Sequence, residues 1–138
     1  MGEGTGLIKR FYNEVIVGGD FSLIDELVLD DYVDHEERMP GQPEGKEGVK
    51  FYANTVRTAF PDLSVKTTEP ALTDGDLESA YVTLAGTHQG DFAGIPPSGR
   101  TVEFSGIDII RLRDGKVAEH WGSTDMLGLM QQIGAVPR

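Results

Sequence analysis

The hydrophobic period of this chain changes once, at Pro61, and that change constrains the fold more than any other feature. Before Pro61, apolar residues recur at i, i+3 and i+4. After it, LSVKTTEPAL, LESAYVTLAG, TVEFSGIDIIRL and KVAEHWGS are rich in β-branched and aromatic residues, and turn signals fall at Asp74-Gly75, GIPPSG (94–99) and Asp114-Gly115. Helices followed by a run of strands define an α+β chain, with the N-terminal helices packed in a strongly bent, mostly antiparallel sheet. The helices need not fill the inner surface of such a sheet, so a ligand cavity is expected there.

Within the helical half, Leu7, Ile8, Phe11, Tyr12, Val15 and Ile16 share a face over residues 6–17, and Gly18-Gly19 stops the pattern. Asp20 is the expected N-cap of a shorter helix through FSLIDELV. YVDHE (32–36) reads as a short extended segment and RMPGQPEG (38–45) as a loop. A third helix is expected from Lys46 to Phe60, and a last one over DMLGLMQQIG. Neither repeat nor linker interrupts the 138 residues, so the whole chain, 1–138, is expected to be one domain.

The composition removes several function classes. Without cysteine there is no disulfide, thiolate zinc site or cysteine nucleophile, which fits a reducing compartment. The N-terminal MGEGTGLIKR lacks a signal-peptide apolar run, and no apolar stretch is long enough to cross a bilayer. A cytoplasmic protein is the expectation. The net charge of -11 repels phosphate polyanions and anionic lipid, so neither nucleic acid nor membrane is an expected partner. Ten acidic residues fall within residues 1–40, Asp34 and Glu36 among them, and such runs read first as solvated charge.

Chemistry is best sought around His120, in KVAEHWGSTD. If a three-residue loop joins this strand to TVEFSGIDIIRL, Asp108 stands directly opposite His120; a register shifted by one puts Asp108 opposite Trp121 instead. A carboxylate beside an imidazole fixes its tautomer and raises its proton affinity, as a general acid/base near neutral pH requires. A buried Asp108 within GIDII would also need such a partner, because an unpaired carboxylate is costly to desolvate. Asp108 and His120 are therefore the candidate catalytic residues, with a structural pair as the alternative.

The candidate substrate-binding residues are Tyr12, His35, Tyr52, His88, Phe92, Trp121 and Asp125. Each has a plainer reading. Asp125 is placed to cap the last helix. His35 sits among surface acids, and the glycines around His88 and Phe92 are first explained by tight turns. Tyr12, Tyr52 and Trp121 have the default place of aromatics, the core. No P-loop, GxGxxG, HExxH or EF-hand pattern occurs, and three dispersed histidines have no metal-ligand spacing. No metal and no cofactor is expected.

FYNEV, GDFSLIDELVLDDYVDHE, GKEGVKFYANTVRTAFPDL and above all GIPPSGR with VEFSGIDIIRLRDGKVAEHW resemble the SnoaL-like polyketide cyclase family of the nuclear transport factor two-like superfamily. The resemblance covers nearly the whole chain. It implies a cone-shaped α+β barrel with an apolar cavity, a homodimer built through the outer sheet face, and a cofactor-free intramolecular aldol closure of an anthracycline precursor ester by an acidic general acid/base. Asp108 and His120 match positions lining the family's cavity. The family's catalytic aspartate directly follows the His-Trp pair, and this chain has Gly122 there.

The resulting expectation is an apolar pocket for a carbonyl-containing hydrophobic small molecule, with His120, held by Asp108, removing a proton α to the carbonyl and a tyrosine or trapped water stabilising the enolate. The alternatives are a non-catalytic ligand-binding or dimerisation module and cofactor-free epoxide hydrolysis. The epoxide hydrolases need an Asp-Arg-Asp constellation, and Arg111 alternates away from Asp108.

Overall fold

Leu7, Ile8, Val15 and Ile16 are buried on one side of the first helical segment, as their spacing dictates. In the computed structural model, which describes residues 6–137, this segment is of two kinds. Helix α1 (Leu7–Arg10) is α-helical, and a π-helix (Phe11–Val17) continues it. Gly19 follows at φ +77°, and Arg57 lies where a Cβ would project, its Nη2 2.7 Å away. That guanidinium donates to the carbonyls of Ile16 and Val17, satisfying the helix end.

Helix α2 (Ser22–Leu27) stops one residue earlier than expected, because Val28 is already extended. Asp20 is not its N-cap: Phe21 holds that position, and the Asp20 carboxylate accepts from the Ser22 hydroxyl instead. Strand β1 (Val28–Asp34) follows, then α3 (Gly45–Ala59), whose Ala53, Val56 and Ala59 enter the core with Phe60. The remaining strands are β2 (Ser64–Thr67), β3 (Ala71–Asp74), β4 (Leu77–Thr87), β5 (Thr101–Arg113) and β6 (Lys116–Thr124), before α4 (Met126–Gln132).

The six-stranded sheet runs β1-β6-β5-β4-β2, with β3 also paired to β4, and it curls strongly around the helices without closing. Every pairing is antiparallel except β1 with β6. This parallel contact sets Asp34 beside His120, and the His35 amide donates to the His120 carbonyl at 2.8 Å.

The β5–β6 register corrects the sequence reading. The turn has two residues, Asp114 and Gly115, with φ of 55° and 75°, the left-handed pair that a tight hairpin of right-twisted strands requires. Arg113 faces Lys116 and Leu112 faces Val117, after which the register slips at Ala118. Beyond this bulge Ile110 faces His120 and Asp108 faces Gly122, neither His120 nor Trp121. The two-residue displacement preserves parity, so Asp108 and His120 still point to the same inner face.

No helix among the described residues is long and apolar enough to cross a membrane.

Candidate active site

Alternation along β5 and β6 turns Asp108, Ile110 and His120 inward and leaves Ile107, Ile109 and Trp121 on the outer face. The inward groups meet a cavity of about 140 Å³ between the sheet and the helices. Its walls are mainly apolar, with Ile8, Phe11, Val28 and Val49 among them, and Glu37, Met39 and Gln42 come from the connection between β1 and α3. One wall is charged.

His120 organises that wall. Its Nε2–H donates to Asp108 Oδ1 at 2.7 Å and its Nδ1–H to Asp34 Oδ1 at 2.9 Å. Tyr12, brought over by the π-helix, donates from its hydroxyl to Asp108 Oδ2 at 2.6 Å. Glu36 completes the group, with Oε1 4.0 Å from His120 Nε2 and Oε2 accepting from the Thr124 hydroxyl at 3.4 Å.

The electrostatics follow from this geometry. Burial alone would drive the imidazole neutral, but the hydrogen bonds and charges of Asp108 and Asp34 outweigh it and lift the His120 pKa from 6.5 to about 10. His120 is thus an imidazolium at neutral pH. Burial also opposes ionisation of Asp34, yet the hydrogen bond from His120 holds that carboxyl below its ordinary value. Glu36 shifts the other way: burial raises it, Asp108 and Asp34 reinforce the rise, and attraction to His120 only partly offsets it. Burial likewise pushes the Tyr12, Tyr32 and Tyr52 hydroxyls upward, with the neighbouring carboxylates adding to the effect, so all three remain neutral donors.

Glu36, Asp108 and His120 are also the group among the described residues whose ligand atoms lie close enough, within 4.8 Å of one another, to hold a metal ion. Ligation through His120 Nε2 would displace the proton it donates to Asp108, so metal binding there would release a proton and weaken as pH falls.

Of the residues singled out from the sequence, Tyr12, Tyr52, Asp108 and His120 line this cavity. The others lie elsewhere. Trp121 is on the outer face, stacked on His35 with ring centroids 4.8 Å apart, and His35 Nε2 is 2.9 Å from Glu119. Both were expected to bind substrate, and neither lines this cavity, since strand alternation beside the inward-facing His120 turns them to the other face. Asp125 caps α4 by accepting from the Gly128 amide at 2.9 Å. His88 and Phe92 belong to a separate buried cluster around Phe60, with His88 Nδ1 held by the Ser98 amide and hydroxyl.

Sequence reasoning weighed Tyr32 with Tyr12 and Tyr52 as a cavity tyrosine but missed Asp34 and Glu36, and all three line the cavity. Their spacing was the available signal, since residues 32, 34 and 36 of an extended segment share one face.

The curled sheet wrapped on its helices is the nuclear transport factor two-like fold, and TsrD from Streptomyces laurentii superposes on it with a TM-score of 0.81 and 28% identity, over 98% of this chain and 100% of that one. IdmH from Streptomyces antibioticus gives a TM-score of 0.77 with 30% identity, over 92% of this chain and 95% of that one. Residues 6–133 match the family model of the SnoaL-like polyketide cyclases, and the chain belongs to that family. Among its curated relatives, the nogalonic acid methyl ester cyclase of Streptomyces nogalater is 27% identical over 112 residues, covering 80% of this chain and 83% of that protein.

Proposed function

We propose that this protein is a cofactor-free cyclase that closes a ring in a largely apolar, carbonyl-bearing polyketide ester by an intramolecular aldol reaction. The observation carrying this reading is the charged wall, His120 between Asp34 and Asp108, opening on a mainly apolar cavity. The apolar walls desolvate the substrate. A carboxylate of the wall accepts a proton from the carbon α to a carbonyl, and the enolate carbon forms a bond to a second carbonyl carbon of the same molecule. The proton then returns to the resulting alkoxide, so the overall change is an isomerisation without oxidant or leaving group.

In this chemistry His120 supplies a fixed positive charge for the developing enolate rather than a lone pair, because both ring nitrogens are committed as donors. The related S. nogalater enzyme is named for cyclising nogalonic acid methyl ester, and that compound is the first substrate to test. Purified protein is expected to convert it to a product of unchanged mass. His120→Gln, which removes the cation, is expected to lower kcat by about a hundredfold or more, the usual range for such stabilisation. Tight binding without conversion would favour the ligand-binding alternative.

The outer face is proposed to bind a second copy of the chain. Tyr81 and Ile107 are paired neighbours there and remain 42% and 50% exposed, with Ile109 beside them, forming an apolar patch on the sheet.

A further inference from the structure

We infer that Glu36 is the carboxylate that carries the proton in this site, and that residue 122 is glycine because the Glu36 carboxylate occupies the space its side chain would fill. The inference rests on the cyclase reading above and names a catalytic group within it.

Of the four carboxylates lining the cavity, Glu37 is exposed and belongs to the β1–α3 connection; the other three form the charged wall, and their hydrogen bonds separate them. Both oxygens of Asp108 are engaged, by Tyr12 at 2.6 Å and by His120 at 2.7 Å. Asp34 Oδ1 receives both His120 Nδ1–H and the Glu36 amide, at 2.9 and 3.0 Å. A carboxylate stabilised in this way is a poor proton acceptor, because each bond favours its charged form. Glu36 is held only by the long contact from Thr124, and its Oε1 stands 4.0 Å from His120 Nε2. It is the least constrained base on the wall.

Gly122 lies directly across the ladder from Asp108. A Cβ built at Gly122 would fall 2.3 Å from Glu36 Oε1, 2.8 Å from His120 Cε1 and 3.1 Å from Asp108 Oδ1. Even alanine would therefore collide with the glutamate in its present position. The carboxylate that the family resemblance places after the His-Trp pair on β6 is supplied here from just beyond the end of β1, across the parallel β1–β6 contact.

The groups facing Glu36 suit the role. His120 on β6 attracts its charge, Asp108 on β5 and Asp34 on β1 repel it, and the hydroxyls of Tyr12, Tyr32 and Tyr52 surround it without charge. As carboxylate, Glu36 takes the α-proton; as carboxylic acid, it returns that proton to the alkoxide formed on carbon–carbon bond closure.

The test uses the intact protein with nogalonic acid methyl ester and reads turnover, α-proton exchange with deuterated water, and substrate affinity separately. Glu36→Gln keeps the shape and should lower kcat and exchange by about a hundredfold or more, with affinity changed less than threefold. Glu36→Ala should be similarly inactive. The acid limb of the wild-type kcat profile should be missing from Glu36→Gln. Wild-type turnover that survives Glu36→Gln overturns this inference alone. Absence of both turnover and exchange in the wild type overturns the cyclase reading, and this inference with it.

Discussion

At the scale of single residues the decisive feature is that His120 is clamped at both ring nitrogens. Its raised pKa has a consequence for stability whose sign is fixed. The pairing stabilises the fold fully below the ordinary histidine value of about 6.5 and is lost as pH rises through about 10. Chemical denaturation between pH 6 and 11 should show a decline through this window in the wild type. In His120→Gln that decline should be much reduced. Asp34→Asn removes one carboxylate, so the His120 ring protons in NMR should titrate at a lower pH than in the wild type; an unchanged midpoint would mean that Asp34 does not hold the imidazolium.

The Asp108–His120 relation was readable from sequence because two neighbouring strands share a short turn and side-chain parity survives an even shift. Asp34 and Glu36 were not, because an acidic run near the N-terminus is most simply solvated charge, and only the distant pairing with β6 buries it.

At the scale of elements, the β5–β6 hairpin converts one extra residue into an active-site geometry. Val117 and Ala118 are both buried where the register slips, so the bulge turns consecutive residues toward the core. Deleting Ala118 should remove the bulge and leave His120 inward, because Val117, Glu119 and His120 would then alternate regularly opposite Leu112, Arg111 and Ile110. The variant is expected to keep the high-pH histidine titration; its loss would show that the bulge itself is needed to hold His120 against the two aspartates. Helices were the easier elements to read, since Gly18-Gly19 and Pro61 stop them within a residue or two of the observed ends. The parallel β1–β6 contact had no comparable local signal. Eighty-one residues separate the last of β1 from the first of β6, and hydrophobic alternation does not state which edge a strand will join.

At the scale of the whole molecule, the change of period at Pro61 foretold helices enclosed by a curled sheet, and the uneven filling of that sheet is the cavity. The two sheet faces have opposite tasks: the inner one holds the charged wall, and the outer one carries the patch proposed to meet a second copy. Sedimentation of the wild type should give a dimer, and Ile107→Glu should shift it to monomer at micromolar concentration without altering the His120 titration. A wild-type monomer at the same concentration would leave that face without its proposed partner.

The central claim, that the cavity removes a proton α to a carbonyl, is tested most directly by incubating the wild-type protein with nogalonic acid methyl ester in deuterated water and following the substrate and product by mass spectrometry. Deuterium incorporation at the enolisable carbon, together with a cyclised product and strong suppression of both in His120→Gln, is the predicted result. Bound ester recovered without deuterium and without ring closure would contradict it.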